Sequence, residues 1–180
     1  MQRWIVTALG QDQPGIVAGV TKVLYQLGCN LEDSAMTRLE GEFAIMLIFS
    51  TPHPITESKI RAQFQPLEKK LALSLRLKRL SSRESHSPRK RGQTYLISMY
   101  GGDRPGIVFR VSEALAHIGI NITDVHTHRS AGRGPSLYLL LLEVEIPPRL
   151  SATSVKKQLA RIAKQLRVEL SLRPSEAAIL

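Results

Sequence analysis

The sequence predicts an α+β protein made of two copies of one βαββαβ unit. Three observations support this prediction: an internal repeat, the same order of hydrophobic periods in each copy, and a polar segment between the copies. Residues 10–41 align with residues 101–132 without a gap, and 13 of the 32 positions are identical. In the first copy the recurring residues are Gly10, Asp12, Pro14, Gly15, Ile16, Val17, Val20, Leu24, Gly28, Asn30, Asp33, Arg38 and Gly41.

The hydrophobic pattern predicts the same order of strands and helices in each copy. An apolar, β-branched run predicts a strand, and apolar residues at helical spacing then predict a helix that opens after a proline and ends at Gly28 or Gly119, where a left-handed residue is expected. A strand, a hairpin turn, a strand, an amphipathic helix and a closing strand follow. The predicted bounds are 4–9, 16–27, 30–39, 43–50, 58–71 and 73–80 in the first copy, with a turn at Gly41-Glu42, and 95–100, 107–118, 121–130, 137–146, 154–166 and 168–172 in the second, with a turn at 131–134. This order is the split-βαβ, ferredoxin-like plan, with an antiparallel four-stranded sheet and helices on one face.

The segment between the copies reads as an exposed linker. Residues 81–92 carry four basic side chains, one acidic side chain and no apolar residue to bury, and Pro88 and Gly92 interrupt any regular element. The predicted domains are therefore 1–80 and 93–174, with a basic polar linker at 81–92 and a tail at 175–180.

A unit of about 80 residues buries only about 60–65% of its unfolded surface, and its two edge strands invite pairing. We expect residues 30–39 and 121–130 to be the pairing edges. The two units would then dock edge to edge, or the chain would pair with a second copy of itself.

Composition excludes several classes of protein. Apolar residues make up 43% and charged residues 22% of the chain, as in ordinary globular domains. The apolar runs are far shorter than the roughly 18 residues that span a bilayer, and the N-terminus does not resemble a signal peptide. Cys29 is the one cysteine, which excludes an internal disulfide and favours a cytoplasmic protein.

The net charge of +10 is dense only in the linker. A nucleic-acid reader is expected to concentrate charge on one face and, for single strands, to offer aromatic side chains for stacking, yet aromatic residues make up only 5%. A solvated linker with a moderately basic surface and direct contact with nucleic acid both remain open, and the first is favoured.

The loop before the first helix of each copy is a candidate ligand site. A helix N-terminus offers free N–H groups and a positive dipole end to a carboxylate, and glycine permits close approach. Asp12 or Asp103 could receive an α-ammonium group, and Asn30 or Asn121 offers a donor and an acceptor. The candidate ligand-binding residues are Gly10, Asp12, Pro14, Gly15, Ile16, Asn30 and Leu31 in the first copy and Gly101, Asp103, Arg104, Pro105, Gly106, Ile107, Asn121 and Ile122 in the second.

Each of these residues also has a structural interpretation. The aspartates can cap a helix and the asparagines can satisfy a turn. Arg104, which replaces Gln13 of the first copy, can hold a carboxylate or remain a solvated surface side chain.

No catalytic residues, metal ligands or cofactor are predicted. His126 and His128 share one face of a strand, but two imidazoles without a third clear ligand fall short of a metal site. Cys29 has no activating base near it in the sequence and is expected to pack in or beside the core.

The motif Asp-x-Pro-Gly-Ile-Val, a helix and then Gly-x-Asn resembles the ACT domain in both copies. Residues 11–17 and 28–34 are similar to those of the glycine cleavage system transcriptional repressor family, whose members are tandem ACT proteins of this length. The resemblance implies a non-enzymatic regulator that binds an amino acid, with glycine as effector and a transcription activator as partner. It places the ligand at the loop and at the asparagine, with the interface between units completing the site.

Control would then act through protein–protein contact, without direct DNA binding and without a membrane. The alternative is an ACT module with no ligand that docks an acidic protein partner or nucleic acid.

Overall fold

The computed structural model describes residues 1–81, 92–130 and 136–175. The chain divides into two compact units, and each unit contains one antiparallel four-stranded sheet. In each unit the strands lie in the order second, third, first, fourth, so the first and third strands are central. One helix connects the first strand to the second, and the other connects the third strand to the fourth. The predicted α+β class with two βαββαβ, ferredoxin-like units is confirmed.

The predicted elements are all present, with small changes at their ends. Both second strands have the predicted bounds, whereas most of the other strands and the two later helices are longer than predicted because cross-strand pairing and caps extend them. Unit 1 contains β1 (Gln2–Gln11), α1 (Ile16–Gln26), β2 (Asn30–Leu39), β3 (Glu42–Thr51), α2 (Glu57–Leu71) and β4 (Ser74–Leu80). Unit 2 contains β5 (Gln93–Gly102), α3 (Ile107–His117), β6 (Asn121–Ser130), β7 (Leu137–Ile146), α4 (Ala152–Leu166) and β8 (Val168–Pro174).

Each sheet buries one face beneath its two helices. In β3 the alternating residues Phe43, Ile45, Leu47 and Phe49 are buried, as the period of two requires. Helix α1 meets them with side chains at helical spacing, and Phe64 of α2 is completely buried. Unit 2 repeats the arrangement with its own core, which includes Met99, Val111, Leu142 and Leu159.

One local prediction was wrong. The first hairpin turns at Glu40-Gly41, both with positive φ (49° and 84°), and Glu42 already belongs to β3. Helix α1 begins at Ile16, as predicted, and Gly15 is its N-cap with φ 100°. The left-handed residues expected after the first helices are confirmed at Gly28 (φ 67°) and Gly119 (φ 72°).

The edge strands β2 and β6 are exposed along nearly their whole length. Each also carries a register shift, between Leu31 and Asp33 and between Ile122 and Asp124, where an extra residue bends the edge. Asp33 and Asp124 accept hydrogen bonds from the next backbone N–H at 2.8 and 2.9 Å, which explains why they recur. Pairing of these two edges stays a prediction.

Most of the predicted linker, the second hairpin turn and the end of the tail lie outside the described residues, and the domain bounds stay a prediction. No helix among the described ranges is long and apolar enough to cross a membrane.

Candidate functional site

The candidate loops join the central strand of each sheet to its first helix. The Asp12 N–H donates to the Gly41 carbonyl at 2.8 Å, and the Asp103 N–H donates to the Ser136 carbonyl at 3.0 Å. These bonds tie each loop to the hairpin between the second and third strands. The loops are therefore fixed at the same place in both units, beside the end of the edge strand.

Each loop aspartate forms an ion pair with an arginine of the edge strand. Asp12 Oδ2 lies 3.2 Å from Arg38 Nη1, and Asp103 Oδ2 lies 3.7 Å from Arg129 Nη1. Arg38 is 71% exposed and Asp12 32% exposed, so water reaches the pair. Each unit consequently presents one negative and one positive group side by side at the loop.

The aspartates do not cap the helices. Helices α1 and α3 have no side-chain cap, and their N-caps are Gly15 and Gly106. By contrast, α2 is capped by the Thr56 hydroxyl and α4 by the Ser151 hydroxyl. The first N–H groups of α1 and α3 have no intrahelical acceptor and are left to solvent or to a ligand.

The two N-cap glycines leave their surroundings open. Both have positive φ, 100° at Gly15 and 93° at Gly106, and no atom lies within 4 Å of where a Cβ would stand. Gly10 and Gly101 serve a different purpose, because a Cβ there would lie 2.8 Å from the side chain of Leu73, just before β4, or of Val168, at the start of β8. The first pair of glycines keeps the approach to the helix free, and the second pair lets the chain pack.

In unit 2 the loop borders an open depression of about 370 Å³. Its wall brings together part of the predicted site, Asp103 to Ile107, with three further residues that sequence reasoning missed. The missed residues are Val108, Phe109 and Tyr138. The depression therefore combines a cation, an anion and an apolar wall.

Gln13 and Arg104 occupy equivalent positions in the two loops but make different contacts. Gln13 Nε2 donates to the Leu71 carbonyl at 3.1 Å, at the end of α2. Arg104 makes no side-chain hydrogen bond or ion pair with the described ranges of the chain. Its guanidinium is an exposed cation beside the depression.

The structure does not bring the asparagines to the loop of the same unit. Asn30 is paired with Ser50, which is paired with Arg3, whereas the loop follows the strand end at which Gly10 is paired with Phe43. Seven residues of β3 separate the two positions, about 23 Å along the strand. Asn121 is likewise seven residues of β7 from the loop end of its sheet, and Leu31 and Ile122 are six residues from theirs. One small molecule bound to a single unit contacts the loop or the asparagine, and not both.

The remaining sequence candidates lie elsewhere. His126 Nε2 lies 2.9 Å from Asp124 Oδ2 on the exposed strand β6, and within the described ranges no three His, Cys, Asp or Glu side chains are placed to hold a metal ion. Cys29 packs against the core of unit 1 as predicted, and burial raises the pKa of its thiol.

Sequence reasoning also missed Arg38 and Arg129, which lie on the edge strands beside the loops. Both recur at the repeat offset, so the signal was present in the 13 identities. Their closeness to the aspartates depends on strand register. In unit 1, Phe43 of β3 is paired with Arg38 of β2 on one side and with Gly10 of β1 on the other.

The family model of the ACT domain matches residues 2–78 and 93–173, one match for each unit. The chain belongs to the ACT domain family. The match includes both loops and both Asp–Arg pairs, and it confirms the resemblance inferred from the repeated motif.

Curated ACT relatives match parts of the chain. A UPF0237 protein of Methanopyrus kandleri is 36% identical over 76 residues, which cover 42% of this chain and 84% of that protein. The glycine cleavage system transcriptional repressor of Escherichia coli is 44% identical over 46 residues, which cover 26% of this chain and 24% of the repressor. The chain is thus an ACT-domain protein related to that repressor over about a quarter of the repressor's length.

Solved structures match nearly the whole chain. A protein from Galdieria sulphuraria has a TM-score of 0.80 and 28% identity, with 97% of this chain and 98% of that chain covered. A structure described as a candidate glycine cleavage system transcriptional repressor has a TM-score of 0.71 and 20% identity, covering 96% of both chains. Both structures share the fold of this chain over nearly its whole length.

Proposed function

We propose that this ACT protein is a non-enzymatic regulator that senses an amino acid at the loops before α1 and α3 and acts through contact with a protein partner. Glycine is the proposed effector, and genes of the glycine cleavage system are the proposed target of the regulation. The proposal draws on the family and on the names of the relatives, together with the chemistry of the loops.

The observation that carries the proposal is the Asp–Arg pair beside an uncapped helix in both units. An α-amino acid carries an ammonium and a carboxylate on adjacent positions, so a neighbouring aspartate and arginine offer it complementary charges. The carboxylate can also accept hydrogen bonds from the free N–H groups at the helix start. Gly15 and Gly106 leave room for the ligand to reach those groups.

The carboxylate of Asp12 has an oxygen, Oδ1, that makes no hydrogen bond within the described part of the chain. That oxygen is available to an ammonium group while Oδ2 remains near Arg38. Asp103 is placed in the same way opposite Arg129. The roles of Asn30 and Asn121 in ligand binding stay a separate prediction, because these residues lie at the other end of their sheets.

Regulation requires that the ligand bind two states of the protein with different affinity. In this proposal the ammonium of the amino acid binds the free oxygen of the aspartate and its carboxylate contacts Arg38 or Arg129, so the surroundings of the edge strand that carries the arginine change. A protein partner that contacts this region would detect the difference.

Equilibrium dialysis with labelled glycine tests the proposal. We expect binding to the wild-type chain, weaker binding to Asp12→Asn and Asp103→Asn, and loss of binding in the double variant. Asp33→Asn is the matched control, because it changes an exposed aspartate that holds only a strand irregularity. Absence of glycine binding to the wild type, or equal binding by the double variant, would overturn the proposed site.

Partner docking without any ligand is the second candidate function. The observation that favours it is the cationic helix α4, which contains no acidic residue in its 15 positions. Partner binding that is indifferent to every amino acid would support this second function.

A further inference from the structure

Helix α4 exposes a purely cationic surface. Its apolar side chains Val155, Leu159, Ala163 and Leu166 are buried against the sheet of unit 2. The opposite side carries Lys156, Lys157, Arg161 and Lys164, all exposed. The equivalent helix α2 of unit 1 contains Glu57 and Glu68 among its lysines and arginine, so the all-basic surface is a property of unit 2.

The cations continue from α4 to the start of α3. Arg110 of α3 donates from Nη1 to Gln165 Oε1 at 3.5 Å, which places its guanidinium beside α4 one turn beyond Arg161. Arg167 ends α4 next to Gly101, and Arg104 lines the depression at the loop. We define the cationic face of unit 2 as Arg104, Arg110, Arg161, Lys164 and Arg167.

The five side chains of the cationic face form no ion pair within the described ranges, although Glu113 lies three residues beyond Arg110 on α3 and Glu169 two residues beyond Arg167. The nearby Asp103 is paired with Arg129. Like charges held together without partners destabilise a surface slightly, and they attract anions strongly. The charge is therefore available to a binding partner.

Unit 1 provides an internal comparison. At the positions equivalent to Arg104, Arg110 and Arg167 it has Gln13, Gly19 and Ala72. A Cβ at Gly19 would lie 2.5 Å from Leu67 Cδ1, so α1 packs against α2 where Arg110 reaches across to α4 instead. The two units share one backbone plan and differ in surface charge at the same place.

An apolar anchor point adjoins the cationic face. Phe109 is 63% exposed, and together with Pro105, Val108 and Tyr138 it borders the depression that Arg104 also lines. Aromatic and arginine side chains around a depression are the composition typical of the energetic centre of a protein interface. Unit 1 has Ala18 at the position of Phe109.

We infer that the cationic face and the adjoining depression of unit 2 dock an acidic segment of a partner protein, with one large apolar side chain of that segment seated against Phe109. This inference rests on the proposed function, in which control acts through protein contact, and it assigns the surface and the chemistry of the partner. Charge complementarity selects an acidic partner.

The apolar wall favours a protein segment over nucleic acid. Reading of bases requires polar side chains on the contacting surface, whereas Pro105, Val108 and Phe109 line this depression.

Fluorescence anisotropy with a labelled short peptide tests the inference on the full chain. The probe is a run of glutamates around a single phenylalanine, and a second peptide carries serine in place of the phenylalanine. We expect the phenylalanine peptide to bind more tightly, and its affinity to fall as ionic strength rises.

The decisive variant gives unit 2 the residues of unit 1. Arg104→Gln, Phe109→Ala and Arg167→Ala together should weaken the phenylalanine peptide by roughly tenfold or more. Lys59→Gln, Lys69→Gln and Lys70→Gln on α2 of unit 1 form the matched control, because they remove at least as much positive charge, and they should leave the affinity nearly unchanged.

Three results would overturn the inference: no binding of the phenylalanine peptide at millimolar concentration, an equal loss of affinity in the α2 control, or tighter binding of a duplex DNA of similar charge that depends on the same residues. Glycine dialysis on the wild-type chain separates this failure from that of the proposed function. A wild-type chain that binds glycine but not the peptide retains the proposed sensor, and only the docking surface is then wrong.

Discussion

Asp12 Oδ2 lies 3.2 Å from Nη1 of Arg38, and this pair joins the loop before α1 to the end of the edge strand β2. The residues are 26 positions apart in the chain and are brought together by the hairpin between β2 and β3. Unit 2 repeats the relationship with Asp103 and Arg129. Two opposite charges at the start of an uncapped helix form the element on which the account of amino-acid sensing depends.

Replacing Arg38 with glutamine should leave the fold almost unchanged and weaken glycine binding by unit 1. Arg38 is exposed, and exposed ion pairs contribute about 0–1 kcal/mol. Urea unfolding measures the first effect and glycine dialysis the second. Arg61→Gln, which removes the exposed pair with Glu57 in the same unit, should change neither by much. If both variants bound glycine equally well, Arg38 would have no part in the site.

Gly101→Ala should destabilise unit 2, whereas Gly102→Ala should not. The added Cβ at Gly101 would lie 2.8 Å from Val168 Cγ1 and 3.1 Å from the Arg167 carbonyl oxygen, and overpacking of this kind costs about 1–3 kcal/mol. No atom lies within 4 Å of a Cβ at Gly102. Urea unfolding of the two variants distinguishes the positions, and an equal loss of stability in both would show that the close approach at Gly101 carries no cost.

Cys29 should react slowly with thiol reagents in the folded chain. Burial raises the pKa of this thiol, so less thiolate is present at a given pH than in the unfolded chain. The free energy of unfolding therefore depends on pH. The contribution of the neutral thiol is fully present below the ordinary thiol pKa and is lost as pH rises through the raised pKa. The pH profile of alkylation in buffer and in urea measures the displacement, and coincident profiles would contradict it.

The exposed edges β2 and β6 should cause association when the two units are expressed separately. All ten residues of β2 are exposed, and long unpaired edges attract other strands. Light scattering on the fragments 1–80 and 93–180, alone and mixed, measures their masses. Two stable monomers that do not associate would remove the reason for expecting edge pairing.

The repeated architecture was predictable because several independent signals in the sequence indicate the same order of elements. The periods of two and 3.6, the turn glycines and the repeat offset all specify the same βαββαβ order, and the structure has it. Errors were confined to ends of elements, as at Glu40-Gly41, where the turn begins one residue earlier than expected. A turn at Glu40-Gly41 requires positive φ at both residues, and glutamate adopts positive φ only at a cost in free energy. The sequence therefore predicted a turn that begins at the glycine.

The site was predictable in part. The loop residues were identified from the repeat, but their partners depend on strand register, which a single sequence does not give. Asn30 follows α1 by a few residues, and the helix returns the chain to the opposite end of the sheet, so closeness in sequence did not bring Asn30 to the loop. Phe109 looked like an ordinary helix residue because only the packing of α3 shows that its side chain is exposed.

Thermal unfolding of the full chain against the twenty amino acids tests the central claim most directly. Ligand at about 100 times its dissociation constant adds roughly 2.7 kcal/mol to the stability of the folded state. We predict an upward shift of the transition with glycine that is absent in the Asp12→Ala and Asp103→Ala double variant. No shift with any amino acid, or an equal shift in the double variant, would contradict amino-acid sensing at these loops.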